Sequence, residues 1–297
     1  GGLRTALKKR SELLAEAAAH DPEVIAFAEH KLQAKDVETV ETDLIKVFPN
    51  YRAIWACASE RKGYSGVVLL LRKDIAGPIK PHSITNATVE VTSPEACRDT
   101  HALASCHRGL GIPPIDSEYN LEGRVITLNF TQPNVYVVFS YVPNSGAELK
   151  RLNYRIDTWE KDCRDYLKAL EKDKPVCYIG DLNVAHLDLD IWNAGAKHLE
   201  KSAGTTAAER AAFGDLLSCG FVDGFRHFHP NADGNFSYWS VRARNRPHNR
   251  GLRLDYTVVS QALTDPAAPA QLADAYLLND LCAPHGDHCA VGMTLKY

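Results

Sequence analysis

Residues 176–183, Val-Cys-Tyr-Ile-Gly-Asp-Leu-Asn, carry the pattern that decides the fold. Their apolar start predicts a buried strand that ends at the glycine. Because side chains alternate along a strand, Asp181 and Asn183 project to one side of its end. An acid and an amide in that position suit a site that holds a water and a phosphate oxygen. An Asx-turn closing a buried strand is the structural alternative, and the segment alone leaves both open.

The rest of the chain predicts more strands than helices. The other predicted strands are Val24–Phe27, Ile54–Ala58, Val67–Leu71, Val125–Phe130, Val135–Val142, Leu254–Val259 and Ala290–Leu295. The predicted helices are Leu3–Ala19, Glu148–Leu170 and Thr206–Leu217. Several strands follow one another with no helix between them, which favours sheets covered by helices over a strict strand–helix alternation. The stretch 78–122 is the one long irregular region, with a strand expected over Ala87–Val91.

Composition indicates an ordinary globular chain of 297 residues. There are 34 Lys and Arg against 37 Asp and Glu, and 45% of residues are hydrophobic, which excludes disordered and collagen-like proteins. The longest aliphatic run, Val67–Leu71, is far too short to span a membrane, and no secretory signal is visible. The eight cysteines have no metal-binding spacing, so we expect reduced thiols in a cytosolic or nuclear protein. No linker divides the chain, which predicts a single domain over 1–297.

Two further candidates stand at other predicted strand ends. Asp255 lies within an apolar strand and needs a partner, because an unpaired buried charge is costly. His288, in Gly286-Asp-His-Cys289, is one candidate partner, and an arginine such as Arg253 is the structural alternative. Glu29 follows the first strand, where it is either a ligand for a hard cation or a solvated side chain.

The remaining candidates suit phosphate groups. Tyr141 and Asn144 close another strand, as phosphate ligands or as a plain Pro-Asn turn. The segment Val241–Arg253 carries five arginines and no acid, and it follows an aromatic run. Such a loop suits a phosphate backbone, and a solvated basic loop is the alternative.

The order of these segments resembles one known family. The segments are Gly2-Leu-Arg4, Ala28-Glu-His-Lys31, Gly63-Tyr-Ser-Gly66, Glu122-Gly-Arg-Val125, Tyr141-Val-Pro-Asn144, Arg151-Leu-Asn-Tyr-Arg155, Gly180-Asp-Leu-Asn-Val-Ala-His186, Trp239, Arg253-Leu-Asp-Tyr256 and Gly286-Asp-His288. Together they resemble the exonuclease III-like apurinic/apyrimidinic (AP) endonucleases of the endonuclease/exonuclease/phosphatase superfamily, with the eukaryotic, human-type branch as the closest. The resemblance implies an α/β fold, a four-layer α/β sandwich of two mixed β-sheets packed face to face and flanked by helices.

The resemblance also implies roles for individual residues. Asp181 would position or deprotonate the attacking water, and Asn183 would orient that water and the phosphate. His288, paired with Asp255, would hold a phosphate oxygen. Glu29 and Asp287 would bind the metal, and Tyr141 and Asn144 would bind the phosphate. The DNA would be contacted by Arg151, Arg155 and the Arg242–Arg250 loop, above all by Arg242 and Arg244. The abasic sugar would be contacted by Tyr238, Leu252 and Leu254.

The implied activity is Mg²⁺-dependent hydrolysis of the phosphodiester 5′ to an abasic site in duplex DNA, with Mn²⁺ as the alternative ion. The products are a 3′-hydroxyl and a 5′-deoxyribose phosphate, with 3′-phosphodiesterase or 3′–5′ exonuclease side activity. We expect a monomer that binds abasic duplex DNA and no membrane, in the nucleus and with a mitochondrial share as a second location. The alternatives are an inositol-phosphate or sphingolipid phosphodiesterase, a DNase I-like nuclease, and an impaired protein that only binds abasic DNA.

Two departures from the family pattern stand out. The family begins with a buried strand ending in Trp-Asn or Phe-Asn, whereas this sequence opens at Gly1-Gly-Leu-Arg4, so we expect that strand to be missing before residue 1. The region 78–122 is also longer than the family's usual connection and is expected to be an inserted loop.

Overall fold

The computed structural model describes residues 2–59, 61–75, 89–90, 103–110, 121–281 and 286–297. The chain divides into two compact units, Gly1–Tyr141 and Val142–Tyr297, and the expected single domain over both stays a prediction. Across the described ranges, no helix combines the length and the apolar character that crossing a bilayer requires. Six of the eight cysteines are described and form no disulfide, while Cys97 and Cys282 lie outside the described residues.

The first unit contains two groups of antiparallel strands. The strands are β1 (Val24–Ala28), β2 (Tyr51–Ala56), β3 (Val67–Arg72), β4 (Val89–Glu90), β5 (Leu103–Arg108), β6 (Val125–Phe130) and β7 (Tyr136–Tyr141). They pair in the orders β1-β3-β2 and β4-β5-β6-β7. The described α-helices of this unit are Leu3–Lys9, Ser11–Ala19 and Val37–Val47.

The central strand β3 forms the middle of the first unit's core. Its residues Val67–Leu71 are at most 1% exposed, so both faces of the strand are covered, as a continuous aliphatic run predicts. The helix Val37–Val47 contributes Val40 and Leu44 to the same apolar cluster. That helix was not predicted from the sequence.

Two predictions for the first unit need correction. The helix predicted over Leu3–Ala19 is two helices, because Arg10 adopts a non-helical backbone (φ −144°, ψ 32°) between them. The region 78–122 is not irregular throughout, because β5 lies within it and pairs with β6. The short strand β4 confirms part of the strand expected over Ala87–Val91, and the other residues of that stretch lie outside the described ranges.

The second unit contains a three-strand group and a hairpin. The strands are β8 (Val176–Asp181), β9 (Phe221–Asp223), β10 (Asp255–Ser260), β11 (Gln271–Leu278) and β12 (Ala290–Lys296). β10 pairs antiparallel with β8 on one side and β9 on the other, and β11 pairs with β12. The described helices are Leu152–Tyr154, a π-helical turn Arg155–Trp159, Glu160–Glu171, Ala207–Ser218 and Gly224–Phe228.

Helix starts in the second unit follow local hydrogen bonding. The helix predicted from residue 148 begins only at Leu152, because Glu148 and Leu149 have positive φ. The helix Ala207–Ser218 begins with a capping box, since Thr206 accepts from the Glu209 amide (3.2 Å) and its own amide donates to the Glu209 carboxylate (3.2 Å).

The start of β10 is fixed by a buried ion network. Arg253 is fully buried and forms ion pairs with Asp190 (2.8 Å) and Asp223 (2.6 Å). Its amide also donates to the Asp190 carbonyl (2.9 Å). The network therefore joins the turn after β8, the end of β9 and the residues that lead into β10.

We predict that Asp223→Asn lowers the free energy of unfolding by about 3 kcal/mol or more, because it leaves the buried guanidinium groups of Arg253 and Arg226 with the Asp190 carboxylate alone as counter-charge. The amide keeps the size of the side chain and the oxygen that accepts from the Arg226 amide. Urea unfolding of the two proteins measures the difference.

Asp215→Asn is the matched control, because Asp215 pairs with Arg164 at 3.8 Å while its side chain is 71% exposed. We expect this variant to lower the free energy of unfolding by less than about 1 kcal/mol. Equal losses in the two variants would contradict a structural role for the Arg253 network.

Candidate active site

Two carboxylates and an imidazole meet at the ends of β8 and β10. The strand register places Asp255 directly opposite Asp181. His288 lies beside them, with its Nδ1 atom 2.7 Å from the Asp255 carboxylate. The partner that Asp255 required is thus His288, while Arg253 is occupied by two other carboxylates.

Backbone contacts hold the His288 segment against the start of β10. His288 forms an isolated β-bridge with Tyr238, and the Trp239 amide donates to the Asp287 carbonyl (2.7 Å). The Ser237 hydroxyl, fully buried, accepts from the amides of Leu254 and Asp255 (2.9 and 3.0 Å). One short segment therefore positions both members of the His–Asp pair.

The pKa values of Asp181 and His288 are both raised above their ordinary values in water. Burial and then the nearby Asp255 carboxylate raise the pKa of Asp181 to about 7. Burial lowers the pKa of His288, but the carboxylates of Asp255 and Asp181 outweigh it and raise the pKa to about 10. At neutral pH the cluster therefore presents an imidazolium beside a carboxyl group that can exchange a proton.

A chain of side-chain amides supports Asp181. Asn183 donates to Asp181 through its backbone amide (3.0 Å) and its Nδ2 atom (3.3 Å). The same Nδ2 donates to the Val142 carbonyl (2.9 Å), and Asn144 donates to Asn183 Oδ1 (2.8 Å). The Asx-turn and the polar site are thus one arrangement, in which Asn183 directs its donors to protein atoms.

The three predicted pocket residues lie together. Leu254 is buried in an apolar cluster with Ala185 and Ile191, and the half-buried Tyr238 and Leu252 pack against it. The Tyr238 ring centroid is 5.0 Å from that of His288. A small apolar surface therefore adjoins the polar cluster, as expected for a site that holds a compact apolar group.

Arg155 was wrongly predicted to face DNA. Its side chain is fully buried, and its guanidinium donates to the carbonyls of Leu182 (2.6 Å) and Asn183 (2.6 Å). It also pairs with the buried Glu209 (3.5 Å). Arg155 thus supports the loop after β8. Arg151 is partly exposed, with its guanidinium 4.7 Å from the Tyr154 ring centroid.

The arginines of the basic loop fall into two groups. Arg242 and Arg244 are exposed, as the predicted phosphate contact requires. Arg246 instead donates to the carbonyls of Gly286 (2.8 Å) and Asn279 (2.8 Å) and packs over the Trp239 ring (4.5 Å). Arg246 therefore fixes the loop to the segment that carries His288.

Glu29 and Tyr141 belong to the first unit. Glu29 lies just past β1 with positive φ (59°), and its half-exposed carboxylate pairs with Lys31 (3.1 Å). Tyr141 ends β7, with the Arg124 guanidinium 4.8 Å from its ring centroid. Their predicted roles stay predictions.

The donor set of the second unit fits a divalent cation. The ligand atoms of Asp181, Asp255 and His288 lie within 4.8 Å of one another. Carboxylate oxygens suit a hard cation, whereas a protonated imidazole offers no lone pair. Within the cluster the carboxylates of Asp181 and Asp255 are thus the groups whose chemistry suits the ion, and the Asp255 carboxylate already pairs with His288. Asp287, the predicted second carboxylate, is exposed on the surface.

Several residues that position the site were not predicted from the sequence. Asp190 and Asp223 had a usable signal, because a buried Arg253 requires carboxylates by the same rule that was applied to Asp255. Ser237 had none, since its importance depends on a contact between distant segments.

Comparison with known proteins identifies the family. The model of the Endonuclease/Exonuclease/phosphatase family matches residues 1–274. The chain belongs to this family. It is 34% identical over 295 residues to the exodeoxyribonuclease of Bacillus subtilis, covering 99% of this chain and 96% of that protein. It is also 34% identical to the DNA-(apurinic or apyrimidinic site) endonuclease of Dictyostelium discoideum over 93% of this chain, and it spans 63% of that longer protein.

A solved structure confirms the predicted fold class. The crystal structure of the AP endonuclease of Leishmania major superposes with a TM-score of 0.78 at 27% identity. The likeness covers 99% of this chain and 84% of that one. The α/β sandwich expected from the family resemblance is therefore the fold of this family member.

We predict that Asp255→Asn lowers the pKa of His288 from about 10 toward its ordinary 6.5, because the adjacent carboxylate sustains the imidazolium. NMR titration of the imidazole in EDTA measures it. A raised folded pKa stabilises the protein fully below pH 6.5, and the contribution is lost as the pH rises toward 10. The free energy of unfolding of the variant should therefore lack the decrease that wild type shows as the pH rises from 6.5 toward 10.

The control is Asp265→Asn, which alters an exposed carboxylate in a turn of the same unit. It should leave the His288 titration unchanged. An unaltered His288 pKa in Asp255→Asn would mean that the two groups are not paired in solution.

Proposed function

We propose that this protein is a DNA repair endonuclease that hydrolyses the phosphodiester 5′ to an abasic site in duplex DNA. The observation that carries the proposal is the Asp181–Asp255–His288 cluster beside the small apolar surface of Leu252 and Leu254. The names of its relatives, an exodeoxyribonuclease and AP endonucleases, support the same class of substrate.

The cluster supplies a base for the attacking water and a cation for the phosphate in an in-line displacement. Asp181, with its raised pKa, accepts the proton of the attacking water. His288, held as an imidazolium by Asp255, donates to a non-bridging phosphate oxygen and stabilises the charge that develops there. The water oxygen forms a new bond to phosphorus as the bond from phosphorus to the 3′-oxygen of the upstream nucleotide breaks, and that oxygen takes a proton from solvent to become the 3′-hydroxyl. A bound divalent cation, for which Mg²⁺ is the proposed ion, neutralises phosphate charge.

Selectivity for an abasic nucleotide follows from the size of the apolar surface. Tyr238, Leu252 and Leu254 offer contact to a sugar, and a flipped nucleotide without a base costs least to extrude. The exposed Arg242 and Arg244 supply phosphate contacts that hold the duplex. We further propose that the protein acts as a monomer in the nucleus.

A phosphoinositide or sphingolipid headgroup would use the same acids and imidazole. The exposed arginine loop favours a polyanionic backbone over a single headgroup. Incubation with an abasic duplex, an undamaged duplex and a phosphoinositide, each with and without Mg²⁺, separates these functions. Turnover of the lipid alone would overturn the proposal, and tight abasic binding without product would indicate an impaired enzyme.

We predict that Asp181→Asn and His288→Asn each lower single-turnover incision by about a hundredfold or more, because each removes a group acting on the reacting atoms. Binding of abasic DNA in EDTA should change little. Rates at saturating enzyme, together with a binding isotherm, measure the two quantities separately.

Asp265→Asn and His227→Asn make the same chemical changes at exposed positions and should retain normal incision. Incision within tenfold of wild type in either cluster variant would contradict its assigned role.

We predict that Glu29→Ala raises the Mg²⁺ concentration needed for half-maximal incision, with partial rescue at high metal. The reason is that Mg²⁺ keeps most of its waters and depends on one or two protein carboxylates. A Mg²⁺ titration of the incision rate measures the shift. Glu148→Ala, which removes an exposed glutamate paired with Lys150, should not move the midpoint. An unmoved midpoint in Glu29→Ala would assign Glu29 to the solvated alternative.

A further inference from the structure

One tryptophan of the chain is exposed beside the apolar pocket. The side chains of Trp55, Trp159 and Trp239 are at most 4% exposed, whereas Trp192 is 43% exposed. Indoles are typical of binding surfaces, because a large apolar ring carries a polar N–H group. Neither the proposed chemistry nor the pocket uses this side chain.

The backbone holds Trp192 firmly in that position. Its amide donates to the Gly251 carbonyl (3.1 Å), and the preceding Ile191 forms a β-bridge with the pocket residue Leu252. A Cβ atom on Gly251 would lie 2.5 Å from Phe236, so this backbone is closely packed. Ile191 is buried in the apolar cluster of Ala185 and Leu254, and Trp192, the next residue of the chain, is exposed.

The exposed indole is paired with a cation of the basic loop. The Arg250 guanidinium is 5.1 Å from the Trp192 ring centroid, and Arg250 itself is exposed. No acidic residue occurs in the segment Val241–Arg253 that supplies it. An aromatic face beside exposed arginines is the combination with which proteins stack nucleobases of unpaired strands.

We propose that Trp192 and Arg250 form a stacking site for an unstacked nucleobase next to the scissile phosphodiester. The inference rests on the proposed action on DNA and adds a preference within it. In an intact duplex the faces of each base are covered by its neighbours, so the indole can stack only on a base released by fraying or by a missing partner. The site therefore favours frayed 3′ ends, or an orphaned base opposite the lesion, over fully paired DNA.

The test measures binding in EDTA, where no cleavage interferes. The probes are three DNA duplexes: one fully paired, one with a mismatched 3′ end, and one with an abasic nucleotide opposite an orphaned base. Trp192→Ala should weaken binding of the duplex with the mismatched 3′ end, of the abasic duplex, or of both by about 5- to 150-fold, which is the contribution of one stacked base to affinity. Binding of the fully paired duplex should stay within twofold of wild type. Trp192→Phe should restore most of the loss, because it keeps an aromatic face.

Two control variants separate stacking from other causes. Leu187→Ala removes an exposed apolar side chain of the same connection, 37% exposed, and should not change the preference. Arg242→Ala should weaken all three duplexes alike and reduce the slope of log affinity against log salt by about one. Trp192→Ala should leave that slope unchanged.

Trp192 emission provides a direct readout, since the other three tryptophans are buried. Quenching by the unpaired DNA in wild type, lost in Trp192→Phe, is the expected result. Equal weakening of all three duplexes by Trp192→Ala, or no weakening, would overturn the stacking site. Emission unchanged by every DNA would also overturn it. If wild type shows quenching but never incises abasic DNA with Mg²⁺, the proposed function fails while the stacking site stands.

Discussion

The buried guanidinium of Arg253 is the constraint on which the second unit depends. Together with Arg226, which also pairs with Asp190, it forms a network of two guanidinium groups and the carboxylates of Asp190 and Asp223, and this network fixes where β10 starts. Two residues later the chain places Asp255 opposite Asp181. A displacement of one residue would turn Asp255 to the other face of the strand and dissolve the cluster. The ion network thus sets the register that the chemistry requires.

Bringing two carboxylates together is costly unless a cation compensates them. His288 supplies that cation, and the carboxylates in turn keep it protonated. Burial and then the nearby Asp255 carboxylate raise the pKa of Asp181 to about 7. Burial and then repulsion from Asp255 prepare Asp181 to accept a proton, and attraction to the carboxylates keeps His288 charged and able to hold an anion.

Strand alternation and the cost of buried charge made much of this predictable. They placed Asp181 and Asn183 at one strand end and required a partner for Asp255. Most strand bounds were predicted within a few residues, because their apolar runs are short and uninterrupted. Arg155 was mispredicted, since sequence does not reveal that a long guanidinium reaches back to two carbonyls. The helix Val37–Val47 escaped notice, and its burial depends on the central strand β3.

The anchoring of Arg246 has a mechanical consequence. This side chain belongs to the loop that carries the exposed arginines, yet it donates to the carbonyl of Gly286 and packs on Trp239. Trp239 is itself hydrogen-bonded to the backbone of Asp287. Any force that a seated ligand exerts on the loop is therefore transmitted to the peptide bonds next to His288. A ligand that displaces the basic loop therefore also displaces the His288 imidazole. Discrimination between ligands is then expected in the rate of turnover as well as in the affinity.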